Sequence, residues 1–256
     1  IDSLDALFLA VDRKTKRIPN LETVAIGIDS SVFLRLAGHK QSADIVDYLD
    51  TKHHGPLILP GQAVQEFWNN QLAAVDTMAA GVKKKFEALK QDASKIDPNF
   101  GDYADTMGSL LDRFSSEYGY VYDAATLRTT IFVLELLKKK ALLSYVPRTR
   151  FHDIALNRKR TKTPPGFKDD GDGDFFVWVE FLYGLLKAKG SGQEFHHAII
   201  LTHDQKIDWS RASVAHPILA AEVQALVGVP FDVWTIERFY QAISEESSAS
   251  PQAEIA

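Results

Sequence analysis

Val24-Ala25-Ile26-Gly27-Ile28-Asp29-Ser30-Ser31 is the stretch that decides the fold. Residues 24–28 form a short apolar run, strand-sized and too brief for a buried helix. The run ends on an acid and two hydroxyls, residue types that open helices. The same shape returns three times. Residues 57–59 end in Pro60, residues 198–201 lead into Thr202-His203-Asp204, and residues 231–234 lead into Thr235, each with a helical pattern behind it. Short apolar strands alternating with helices predict a parallel sheet covered on both faces. The expected fold is α/β, with three α/β/α layers around a mainly parallel central sheet.

Helical periodicity marks residues 41–49, 62–91, 103–118, 124–143, 174–187, 217–227 and 236–243. The long helix from 62 breaks at Asp97-Pro98-Asn99. The stretch between Glu66 and Asp169 reads almost wholly helical, too long for a simple crossover. We expect one domain over residues 1–243 with a helical elaboration at about 67–146, and a disordered tail over 244–256, where serine, glutamate and proline dominate.

The 256 residues are 45% hydrophobic, enough for one good core. The net charge of −5 means that a polyanionic partner must be met by a local basic patch. The absence of cysteine excludes disulfides, thiolate zinc sites and cysteine nucleophiles, and suits a cytoplasmic protein. No apolar run approaches the roughly 18 residues of a membrane span, and no signal-peptide pattern is seen. Serine follows the first strand without the Gly-x-Ser-x-Gly elbow of hydrolases. The Gly-x-x-x-x-Gly-Lys phosphate loop is missing. The histidine pairs His53-His54 and His196-His197 lack helical zinc spacing.

Acids carry the chemistry. In an open α/β sheet, side chains beyond the carboxyl ends of the strands converge on a ligand crevice. Asp29 stands there after the first run, where helix capping is its plainer role. Glu66 falls about one turn into the helix after the second run, where it also favours the helix dipole. Asp169-Asp170-Gly171-Asp172-Gly173-Asp174 puts four aspartates into six residues ahead of an apolar helix. Asp174 is placed to cap that helix and point back at the sheet edge. An EF-hand loop would need a glutamate at its twelfth position, which is lacking. Asp204 lies three residues past the third strand, and Asp208 either supports it or caps the next turn. Carboxylates gathered at one edge repel unless a cation joins them. Hard ions that favour oxygen, Mg²⁺ or Mn²⁺, suit such a set, with Asp170 and Asp208 as further candidate ligands. For a polyanion, the densest basic stretch is 148–162. There Arg158, Lys159 and Arg160 are candidate phosphate contacts, as is Lys168; a merely solvated basic loop is the plainer alternative. Among the aromatics, Phe67, Trp68, Phe175, Phe176 and Trp178 sit at core-like helical spacing.

Four blocks of this sequence resemble the PIN-domain nucleases. The nearest likeness is to a PIN-like subgroup of bacterial proteins. These have Pro-Pro-Gly-Phe-Lys-Asp before the third acid, here residues 164–169, and Asp-x-Lys-x-Asp-Trp after a strand, here residues 204–209. The likeness runs from Val24 to Tyr240, sharp in the blocks and diffuse between them. It implies a divalent-metal-dependent nuclease, with Asp29, Glu66, Asp174 and Asp204 as the four catalytic acids. It also implies RNA as substrate, and a homo-oligomer or an inhibitory protein as a partner to look for. A structure-specific DNA nuclease and a non-catalytic RNA-binding module on the same fold are the alternatives. The long helical stretch departs from minimal toxin members of the family.

Overall fold

A computed structural model describes residues 2–12, 18, 20–36, 39–75, 84–85, 88–89, 91–92, 95, 102–118, 124–203, 206–211 and 214–249. In chain order the main elements are α1 (Ser3–Asp12), β1 (Ala25–Ile28), α2 (Ser30–Leu36), α3 (Ser42–Asp47), β2 (Leu57–Pro60), α4 (Gly61–Val75), α5 (Tyr103–Tyr118), α6 (Ala124–Lys140) and β3 (Ala141–Ser144). They continue with α7 (Arg148–Arg160), α8 (Gly173–Gly190), β4 (Ala198–Leu201), β5 (Ser210–Arg211), β6 (Val214–Ala215), α9 (Pro217–Val227), β7 (Phe231–Trp234) and α10 (Ile236–Ala249). No helix among the described residues is long and apolar enough to cross a membrane.

Five strands form one parallel sheet in the order β3-β2-β1-β4-β7. Successive strand residues point to opposite faces, and that alternation builds two cores. Ile26, Ile28, Leu57, Leu59, Ile199 and Leu201 face Val32 of α2, Ile45 and Val46 of α3, Leu136 and Leu137 of α6, and Phe239 of α10. Ala25, Ile58, Ala198, Ile200, Phe231 and Val233 face Val177, Trp178, Phe181 and Leu185 of α8, and Leu219 and Val223 of α9. The three-layer architecture expected from the sequence is thus present. Each large aliphatic side chain so buried contributes roughly 1.5–3 kcal/mol relative to exposure.

Chain travel across the sheet reverses once. β1, β2 and β3 step outward in one direction, and β4 then returns to the other side of β1. Between β1 and β4 the helices diverge to opposite faces, which opens the crevice where ligands bind in such sheets.

Several sequence expectations need correction. The stretch from 67 to 146 is not wholly helical, because Ala141–Ser144 joins the sheet as the edge strand β3. The stretch is therefore the β2–β3 crossover. The Arg148–Arg160 segment is a helix, in keeping with the helical reading of 66–169 and not with the solvated loop held as its plainer alternative. An unexpected helix, α1, begins after Asp2, whose Oδ1 accepts from the amides of Leu4 and Asp5 at 3.2 and 3.3 Å. At the other end α10 runs past Ser244 to Ala249, where a tail was expected. The long helix from 62 is described to Val75. Asp97-Pro98-Asn99, Asp204 and residues 250–256 lie outside the described residues.

α8 carries Asp174 in its first turn. Gly184 lets it lie close on the sheet: a Cβ there would stand 2.4 Å from Ile58 Cγ2 and 3.2 Å from Ser144 Oγ. Burying the apolar residues of Val177–Leu185 along this helix then fixes its axial position as well as its face.

Candidate active site

Asp29 is the residue at which β1 ends and α2 begins. Its amide still donates to Leu201 O at 3.0 Å, so the side chain starts from a position held by the β1–β4 ladder. Around its carboxylate the sequence has placed three hydroxyls. Oδ1 accepts from the Ser30 amide at 2.7 Å and from Ser30 Oγ at 3.3 Å. Oδ2 accepts from Ser31 Oγ at 2.6 Å and from Thr202 Oγ1 at 2.8 Å, across the crevice on β4's exit. The His203 amide in turn donates to Ser31 Oγ at 3.0 Å. Asp29 therefore anchors the start of α2, and it also ties the two strands that flank the crevice.

Glu66 reaches the same point from α4. Ser30 Oγ donates to its Oε2 at 2.7 Å, and Gln62 Nε2 donates to its Oε1 at 2.7 Å. Asp29 and Glu66 are thus one hydroxyl apart. The far side of Glu66 lies against Gly173, where a Cβ would stand 2.5 Å from Oε1. A side chain at 173 would displace this carboxylate, and Asp174 is the next residue. The structure accordingly brings Asp29, Glu66 and the start of α8 together at the β1–β4 reversal.

Asp174 itself turns towards the loop after β4. Trp209 Nε1 donates to its Oδ2 at 3.0 Å, and Lys206 Nζ stands 3.6 Å from the same oxygen. Lys206 also bonds Asp169 Oδ2 at 2.6 Å. Burial, and then a hydrogen bond with Asp169, push the Asp174 carboxyl up to about 7, against the pull of Trp209 and Lys206. Burial acts the same way on Asp169, but the Lys206 ammonium and the bond with Asp174 outweigh it and hold that carboxyl below its usual range. Of the two acids, Asp174 is therefore the one that keeps its proton to the higher pH.

The other expected site residues fall into different roles. Asp208 is fully buried; its Oδ2 accepts from the Gly166 amide at 3.0 Å, and its Oδ1 has no partner among the described residues. Through Oδ2 it pins the Pro-Pro-Gly turn. Asp170 is exposed. Arg158 is engaged inside the fold: NH1 and NH2 reach Glu222 at 2.6 and 3.2 Å, and NH2 also donates to Pro164 O. Lys159 Nζ donates to Asp170 O at 2.5 Å and Gly171 O at 3.0 Å, and lies 3.5 Å from Asp172 Oδ1, bracing the acidic loop. The expectation that these two contact phosphate is therefore replaced by structural roles. Arg160 and Lys168 are exposed. Replacing Arg158 with alanine leaves the largely buried Glu222 carboxylate without its cation and with only the Trp178 indole N–H, 2.7 Å away, as donor, and should cost about 3 kcal/mol of stability in urea unfolding. An unchanged midpoint would return Arg158 to the candidate substrate contacts.

A buried acid in α8 was not anticipated. Glu180, with no exposed side-chain surface, accepts from the Gln62 amide at 2.7 Å and the Val146 amide at 3.3 Å, and pairs with Arg148 at 3.5 Å. Burial pushes its carboxyl up, while these amides and Arg148 pull it back. One side chain thus caps α4, which carries Glu66, and fastens the β3–α7 connection to α8. Its sequence signal is a lone acid inside Phe-Phe-Val-Trp-Val-Glu-Phe-Leu-Tyr. A separate concavity of about 600 Å³, lined by Thr23, Phe195, His196 and Val227, opens at the opposite end of the strands, away from these acids.

Among the described residues, no set of three acidic or histidine side chains stands ready to enclose one metal ion. The donors that do converge are all oxygens, which is the chemistry of Mg²⁺ or Mn²⁺ and not of zinc or copper. Fold and site together define a doubly wound α/β protein with an acidic, hydroxyl-lined crevice where the strand order reverses. No family model, curated protein or solved structure matches the chain.

Proposed function

We propose that this protein is a divalent-metal-dependent nuclease, with RNA as the favoured substrate. The observation that carries the reading is the linkage Asp29–Ser30–Glu66–Gly173, which sets two carboxylates and the start of the Asp174 helix at the β1–β4 reversal. Asp29, Glu66 and Asp174 would hold the ion, with Asp204 as the fourth acid implied by the resemblance to PIN-domain nucleases. A bound Mg²⁺ or Mn²⁺ supplies an activated water and stabilises charge on the phosphodiester. The chain's own part is to orient. Ser30, Ser31 and Thr202 fix Asp29, Gln62 fixes Glu66, and Trp209 and Lys206 fix Asp174. Exposed Arg160 and Lys168 are the candidates for phosphate contacts.

A specific observation favours a second reading, a non-catalytic nucleic-acid-binding module. The Asp29 carboxylate already accepts four hydrogen bonds, as a helix anchor would. End-labelled single-stranded RNA and DNA and their duplexes, incubated with Mg²⁺, with Mn²⁺ and with chelator, separate the readings. Cleavage that needs the ion and is lost in Asp29→Asn supports the nuclease. Binding of RNA without ion-dependent cleavage supports the module, and cleavage confined to DNA overturns the substrate assignment.

A further inference from the structure

The described part of the 204–209 block binds through an ammonium, a carboxylate and an indole. Lys206 bonds Asp169, Asp208 bonds the Gly166 amide, and Trp209 bonds Asp174. Three residues after β4 thus grip three points of the 166–174 segment, more than thirty positions earlier in the chain. The grip on Asp174 is the one that bears on chemistry.

We propose that Trp209 is a positioning residue for Asp174, its indole N–H fixing how the carboxylate is presented to the ion that the acids would hold. The inference rests on the nuclease reading. Trp209 is 2% exposed and packs edge-on against Trp178 at 6.0 Å, inside the core under α8. Its ring cannot rotate without disturbing that core, so the N–H direction is set by packing. An indole nitrogen only donates. It therefore holds Oδ2 as an acceptor, beside Lys206, and so sets the orientation of the carboxylate. Groups that orient a ligand in this way alter metal affinity by about 10–100-fold when removed. The contrary view is that Asp174 merely satisfies a buried indole N–H, as buried tryptophan requires.

The two views part in Mn²⁺ titrations, by calorimetry and electron paramagnetic resonance, of wild type, Trp209→Phe, Asp174→Asn and the double variant. Phenylalanine keeps an aromatic ring in the core and removes the donor. Positioning predicts roughly 10–100-fold weaker Mn²⁺ binding by Trp209→Phe. It also predicts a double variant no weaker than Asp174→Asn, because the tryptophan acts only through that carboxylate. Wild-type affinity in Trp209→Phe, or additive losses, overturns the inference and leaves the nuclease reading standing. A wild type that binds no Mn²⁺ overturns the metal reading and the inference with it. Should Trp209→Phe not fold, ¹⁵N-labelled protein decides. Substoichiometric Mn²⁺ should broaden the Trp209 indole resonance ahead of the other three, and Asp174→Asn should abolish this. Uniform or absent broadening in a wild type that binds the ion overturns the inference.

Discussion

Asp174→Asn is expected to remove ion-dependent cleavage and, above neutral pH, to raise the melting temperature. The loss of activity should exceed the roughly 100-fold seen when only a supporting partner of a metal ligand is lost. The gain in stability has a definite sign. In the folded protein the carboxyl ionises near 7, chiefly because it is buried and then because it bonds Asp169. In the unfolded chain it ionises near its ordinary value of 3.8. The folded state therefore binds the proton more tightly. The stability this confers is complete below about pH 4 and is lost as pH rises to about 7. Asparagine cannot ionise and keeps an amide oxygen for Trp209, so it escapes the loss. Melting curves in chelator at pH 4, 5.5 and 8 should show the advantage of the variant growing with pH and levelling above 7. Each kcal/mol relieved is worth roughly 2–4 °C in a chain of this size. An advantage independent of pH would mean that Asp174 is not the proton holder. Cleavage at wild-type rate would remove it from the site.

The second large effect lies away from the acids that touch the crevice. Glu180→Ala should destabilise the protein by about 3–5 kcal/mol, because it leaves Arg148 and buried amides without their acceptor. Arg148 compounds the loss: its guanidinium lies 4.1 Å from the Phe176 ring centroid, and Glu180 helps hold it there. Glu180→Gln keeps one acceptor oxygen and should lose less. Guanidinium unfolding of the three proteins gives the order wild type, glutamine, alanine. Equal midpoints for alanine and wild type would show that the amides at the start of α4 find water, and that the carboxylate is dispensable.

Much of this molecule was legible in its sequence. Four of the five strands in the parallel sheet announced themselves because each is an apolar run buried on both faces and followed by a helix. β3 did not. It follows Lys140 without a glycine or proline, it lies at the edge, and of its four residues only Ser144 is buried. Apolar periodicity therefore ran straight through it as if helix. α7 fell within a stretch read as helical but gave no periodic signal of its own: Ala155 is its sole buried residue, so it presents no apolar stripe. In the candidate site, Asp29 and Glu66, which the structure brings within one hydroxyl of each other, stood out because a strand end and a helix start mark them. What surrounds them did not. Ser30 to Glu66, Thr202 to Asp29 and Trp209 to Asp174 are contacts between distant segments, and no local spacing encodes them. The basic stretch misled for the same reason, since only the fold shows that Arg158 and Lys159 face Glu222 and the acidic loop.

Gly184 lies ten residues beyond Asp174 on α8, a distance of about 15 Å along a helix axis. Because that glycine rests directly on Ile58, anything larger must lift or slide α8, and a rigid rod transmits the motion to its far end. Displacements of about 1 Å at a reacting centre can cost on the order of 100-fold in rate. A survey of inactivating substitutions would thus mark the floor of the sheet as strongly as the crevice. The molecule behaves like an instrument whose calibration screw sits at the opposite end from its jaws.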